Sequence, residues 1–253
     1  MGVARRSAQG RHPTTRSREN VSFGGVLSAI AIIPSAPVLV PELAGAAAAE
    51  VADVREAVIA AAASLPLRWV AVGVGRSDRV VDQGSVGTFG GFGAELEVRL
   101  SPHAGAGPTE LPLCALFAAW VRGLAQPDAR VEVRIYSDGH DVEAALARGR
   151  QLRAEIDHMT EQTGVLILAD GATTLTPAAP GGYQPHDVDV QRKLDDALAS
   201  GDLAALTGLP QQVVGRVAFQ VLAGLTEPAP RTAKELYRGA PYGVGYFAGV
   251  WQP

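Results

Sequence analysis

Cysteine is nearly missing: Cys114 is the only one in the chain, so an intramolecular disulfide is impossible and no thiolate-rich metal site can be built. That scarcity fits a reducing compartment, and the chain is expected to be cytoplasmic. Cys114 stands in the apolar run Leu113-Cys114-Ala115-Leu116-Phe117, where a cysteine reads as a small core residue rather than a nucleophile. No uninterrupted apolar run of about 20 residues occurs, so no segment reads as spanning a membrane. No Gly-x-Ser-x-Gly occurs either, which removes the nucleophile elbow of a serine hydrolase.

Outside the first twenty positions acidic residues outnumber basic ones, 25 to 17. Arg5, Arg6, Arg11, Arg16 and Arg18 all lie there with Glu19 as the only acid, so a net charge of −4 for the 253 residues becomes about −8 for the body without them. A body this acidic disfavours nucleic acid, whose binding needs clustered Lys and Arg to release counterions. Arg5-Arg6 ahead of the apolar stretch 26–40 superficially copies an export signal. Pro34, Pro37 and Pro41 break the helix that such a signal needs, so residues 1–24 are expected to be a disordered basic tail and 25–253 the folded part.

Hydrophobic residues make up 47% and charged residues 19%, enough apolar material for one sizeable core. Four short Val- and Ile-rich runs, 29–33, 69–74, 131–136 and 165–169, read as buried parallel strands. Helical patterns lie between them. Residues 42–63 are Ala-rich with Glu50, Asp53, Arg55 and Glu56 on the polar side, and 142–163 carry an apolar stripe of Ala145, Leu146, Leu152, Ile156 and Met159. This alternation predicts a single α/β domain whose mostly parallel sheet is covered by helices on both faces. Two segments interrupt it. Residues 82–107 hold a glycine-rich stretch at 87–93, read as an anion cradle or as a glycine-rich hairpin or flap over the rim, then an extra strand at 95–100. Residues 170–187 form a long loop. Helices are expected at 188–199, 202–206 and 210–222, and a final strand within 240–251.

Ligands of an open α/β sheet bind outside the carboxyl ends of its strands. The residues that follow the four strands are Pro34, Ser35 and Ala36, then Gly75, Arg76, Ser77 and Asp78, then Ser137, Asp138, Gly139 and His140, and last Asp170 to Thr174. This rim is rich in hydroxyls and glycines. Gly73-Val74-Gly75 lacks both the third glycine and the prompt helix of a dinucleotide-binding turn.

The order of these features resembles a known family. The segment from Ala31-Ile32-Ile33-Pro34-Ser35 to Pro41-Glu42-Leu43 resembles the opening of class III extradiol dioxygenase catalytic subunits and of the related mediator-of-cell-motility family. Gly164 to Gly171 resembles the strand and turn before that family's catalytic histidine. Residues 191–206, with Ser200-Gly201-Asp202-Leu203, resemble the region that follows, and Gly239-Ala240-Pro241-Tyr242-Gly243 is similar to the ending of an uncharacterised actinobacterial branch. The resemblance covers most of 26–251 and implies the family's α/β fold with a divalent metal bound at the strand ends.

The sequence departs from that pattern where the metal would sit. Ser35 takes the place of the first histidine ligand, and a neutral hydroxyl is a weak ligand for iron or zinc. Gly75 and Arg76 take the place of the second, and a permanent cation repels a divalent metal. Leu175 falls near the acid/base histidine and moves no protons. Glu227 or Glu235 would offer one late carboxylate.

The candidate ligand-binding rim is therefore Ser35, Arg76, Asp170, Thr173, Thr174 and Tyr242, with Arg76 pairing with an anionic group. No cofactor is favoured. Under the alternative, a dioxygenase or hydrolase using Fe(II) or Zn(II), relocated histidines would converge: His103 in Ser101-Pro102-His103, His140 and His186. A dimeric scaffold is a third reading. Expected partners are a small molecule and a second copy of the chain, without nucleic acid or membrane.

Overall fold

The computed structural model describes residues 1–2, 26–105 and 107–253; the expected basic tail falls almost wholly outside them. At the centre lie the four anticipated strands, β1 (Leu27–Ile33), β2 (Arg68–Gly75), β6 (Arg130–Ser137) and β7 (Thr163–Leu168). They run parallel in the order β6-β2-β7-β1. Short β3 (Arg79–Val81) joins β6 antiparallel at one edge. At the other, β9 (Tyr246–Gln252) pairs antiparallel with β1, and β8 (Thr232–Gly239) pairs antiparallel with β9. Five of the seven strands thus point one way, as an α/β sheet requires.

Side chains alternate across this sheet and build two cores. Ala29, Ala31, Ile33, Trp69, Ala71, Leu166 and Leu168 face helices α2 (Ala52–Ala63) and α3 (Leu113–Ala125). Ile30, Ile32, Val70, Val72, Val165, Ile167 and Trp251 face α4 (Val142–Asp157), α5 (Asp187–Ser200), α6 (Leu203–Thr207) and α7 (Arg216–Thr226). Both faces being buried, the strands read as continuous apolar runs rather than as alternating ones.

Several boundaries differ from those expected. The helix at 42–63 is broken into α1 (Pro41–Ala44), a 3₁₀ stretch and α2, because Gly45 adopts φ +55 and ends the first turn. Residues 158–163 do not continue α4; Thr163, β-branched and fully buried, belongs to β7. Helix α7 starts at Arg216 rather than 210, since Val213 and Gly215 are tied into turns, the latter through its N–H to the Asp170 carbonyl at 2.8 Å. The final strand begins at Tyr246, and 240–245 form a turn instead.

The extra strand is β5 (Glu97–Arg99), paired with β4 (Val86–Thr88) in a separate two-stranded sheet. This glycine-rich hairpin does not cover the rim. Gly87 packs against Leu111 and Leu116 of α3 and its approach, and Leu100 accepts from the Val131 N–H at the start of β6. Among the described residues no helix is long and apolar enough to cross a membrane.

Candidate functional site

Where β1, β2, β6 and β7 end, the sheet stops and four loops diverge around a cleft of about 330 Å³. Ser35, Gly75, Arg76, Asp138 and Asp170 supply its polar lining, and Val74, Leu113, Cys114, Leu168, Ala169 and Val214 its apolar wall. The strand-end argument thus brings Ser35, Arg76 and Asp170 together.

Asp170 is the most constrained of the three. Its Oδ1 accepts from the Ser35 N–H at 3.0 Å, which stitches the turn after β1 to the turn after β7. Its carbonyl accepts from the Gly215 N–H, and a side chain at Gly215 would strike Ala169 and that same carbonyl. Oδ2 has no hydrogen-bond partner among the described residues and is absent from the sealed unpartnered atoms, so it stays open to the cleft. Asp170 keeps a partly exposed face, but the protein around it removes most of the water that would solvate a charge. Desolvation pushes its pKa up to about 6, against the opposing pull of the Ser35 N–H. A carboxyl titrating there gives or takes a proton near neutrality.

The other groups divide by charge and depth. Arg76 is exposed at the lip and forms no ion pair among the described residues. Asp138 is exposed opposite the buried wall. Cys114 is buried, and desolvation pushes its thiol up to about 11, so it lines the cleft as an apolar thiol rather than a thiolate. Tyr246 lies buried nearby; desolvation and then the Asp170 carboxylate push its phenol upward.

Thr173, Thr174 and Tyr242 lie away from this cleft, contrary to expectation. After Asp170 the chain turns towards α5: the Thr174 hydroxyl donates to Asp187 Oδ2 at 2.5 Å, and the Thr173 carbonyl accepts from the Gly181 N–H. Tyr242 rides on the turn before β9 and donates to Glu50 at 2.8 Å. The signal for Asp138 was present, since it follows β6 in the position equivalent to Arg76 after β2.

The three histidines do not converge. His103 lines a hollow with Arg68 and Arg130, the residues that begin β2 and β6, at the opposite end of the sheet from the cleft. His140 pairs with Asp78 at 2.7 Å. His186 lies 3.0 Å from Asp187 Oδ1 beside α5, without the alignment of a hydrogen bond. Among the described residues no three His, Cys, Asp or Glu side chains are grouped to hold a metal. Glu227 and Glu235 are engaged by Arg150 and Arg238.

No family model matches the sequence, and no curated protein matches it. The likeness that exists is one of shape. The crystal structure of the uncharacterized protein JW3007 from Escherichia coli K12 superposes with a TM-score of 0.58, covering 88% of this chain and 99% of that one. Identity is 10%, so the match establishes a shared α/β fold and nothing about chemistry.

Proposed function

We propose that this protein binds a small organic anion in the cleft at the strand ends, without a metal ion, as a descendant of the extradiol dioxygenase fold. Arg76 is the observation that carries this reading. A guanidinium without an ion-pair partner among the described residues, placed over a cleft with an apolar wall, is poised for a carboxylate or phosphate. Asp170 complements it: with a pKa near 6 its open oxygen offers either a proton or a lone pair to a neutral polar group of the ligand. The apolar wall from Val74 to Val214 suits a compact hydrocarbon body.

The enzyme with relocated histidines is less well supported, because His103 stands at the far end of the sheet and His140 is engaged by Asp78. Iron or zinc held by His, Cys and carboxylates needs several such donors around one point.

Benzoate, an apolar ring with one carboxylate, tests the proposal by calorimetric titration of chelator-treated protein. Saturable binding is expected, weakened at least about tenfold by Arg76→Ala, as for loss of one charge-assisted pair. The unfolding midpoint should stay unchanged, since Arg76 is exposed. Equal affinity of the variant removes Arg76 from the site.

A further inference from the structure

A second hollow of about 400 Å³ lies between α5 and the end of β8, lined by Leu175, Val188, Gln191, Arg192, Asp195 and Arg238 together with Gly239 and Ala240. Its polar floor is Asp195, a carboxyl only 8% exposed. The Gln191 amide that holds it has a fixed orientation. The Ala172 N–H can only donate, so the atom it meets at 2.9 Å is Oε1, and Nε2 must donate to Asp195 Oδ1 at 2.8 Å. Gly171 and Gly245 crowd that amide so closely that a side chain at either would collide with it.

Asp195 Oδ2 is left over. It accepts no hydrogen bond among the described residues, yet it is not a sealed atom: the sealed unpartnered ones are Arg68 Nε and Asp187 Oδ1. It therefore opens into the hollow. The two guanidinium groups nearby are already committed, Arg238 to Glu235 and to Asp196 at 2.8 Å, and Arg192 to Asp189 at 2.8 Å. Four carboxylates, Asp189, Asp195, Asp196 and Glu235, thus surround two arginines. Leu175, Val188 and Ala240 complete the hollow with hydrocarbon, and Val188 is 44% exposed.

We propose that this hollow binds a small primary amine with an apolar body, its ammonium on Asp195 Oδ2 and its hydrocarbon against Leu175, Val188 and Ala240. A carboxylate in the same place would meet Asp195 within the hollow, while Arg192 and Arg238 on its walls are already paired with Asp189, Asp196 and Glu235. An ammonium instead supplies the countercharge that burial withholds. Desolvation first, with Glu235 and Asp196 adding to it and Gln191 and Arg238 opposing, pushes the Asp195 pKa up to about 6. Amine binding therefore displaces a proton below that pH and strengthens as pH rises through it.

The test is a calorimetric titration of the full chain with 2-phenylethylamine, with 3-phenylpropionate as the probe of reversed charge. The amine is expected to saturate one site at about pH 7.5, and Asp195→Asn to weaken it at least about tenfold. The asparagine retains the acceptor for Gln191, and Val188→Trp, which fills the exposed mouth without touching the polar network, should abolish binding independently. Arg76→Ala, in the other cleft, should leave amine affinity unchanged, and lowering the pH to about 5 should weaken it severalfold. Unaltered amine affinity in either Asp195→Asn or Val188→Trp overturns the assignment, as does tighter binding of 3-phenylpropionate or no saturation by the amine at millimolar concentration.

Discussion

A desolvated carboxyl makes its presence felt in the pH dependence of folding. Asp170 and Asp195 both have folded pKa values raised to about 6 from an ordinary 3.8, so the folded chain holds protons that the unfolded chain has released. Their contribution to stability is fully present below the ordinary value, is lost as pH rises towards 6, and changes no further above it. Asp170→Asn keeps an acceptor for the Ser35 N–H without the charge. It should match the wild type near pH 4 and exceed it near pH 7 by about 1–3 kcal/mol, the equivalent of one to two pKa units. Urea unfolding across that range measures the difference, and a gap that does not vary with pH contradicts the shift. Ser35, Arg76 and Asp170 were legible because each falls within two residues of the end of a buried strand, and strand ends of one sheet meet at one edge. Thr173, Thr174 and Tyr242 were not, since their positions depend on how a long loop packs on α5 and how a turn reaches Glu50.

Helices α4 and α7 touch backbone to backbone, and two glycines make the approach possible. A methyl group at Gly149 would fall on the Val221 carbonyl and near Leu225, and one at Gly224 would fall on the Leu146 carbonyl. Neither obstacle is a flexible side chain, so relief requires moving a whole helix. Gly149→Ala and Gly224→Ala should each destabilise by about 1–3 kcal/mol or more. Gly123 in α3 is the control: it has open space around it, and Gly123→Ala should stabilise by about 0.5–1 kcal/mol through helix propensity. Denaturant midpoints separate the two classes, and equal effects at all three glycines refute the close crossing. The central strands were readable because burial on both faces leaves a dense Val and Ile run. Strand β8 was not, because as an edge strand it carries Lys234, Glu235 and Arg238 among its residues. Helix α3 escaped for the opposite reason: apolar from Leu113 to Val121 and wedged under the sheet, it shows little of the polar face that marks a surface helix.

Across the whole molecule, the sheet separates what a linear reading could only set side by side. Parallel order places the turns after β1, β2, β6 and β7 around one cleft, and sends His103 to the opposite end beside the residues that begin β2 and β6. The fold class followed from alternating strands and helices, whereas the separation of the histidines depends on strand order and direction, which no local pattern encodes. Arg76 and Asp170 are proposed to act on an anion without a metal ion. Backbone amide NMR of chelator-treated protein, titrated with benzoate, examines this most directly. Saturable shifts are predicted at Ser35, Arg76, Asp138, Asp170 and Val214, unchanged by added zinc. Shifts centred on His103, His140 or His186, or shifts that appear only once zinc is supplied, would contradict it.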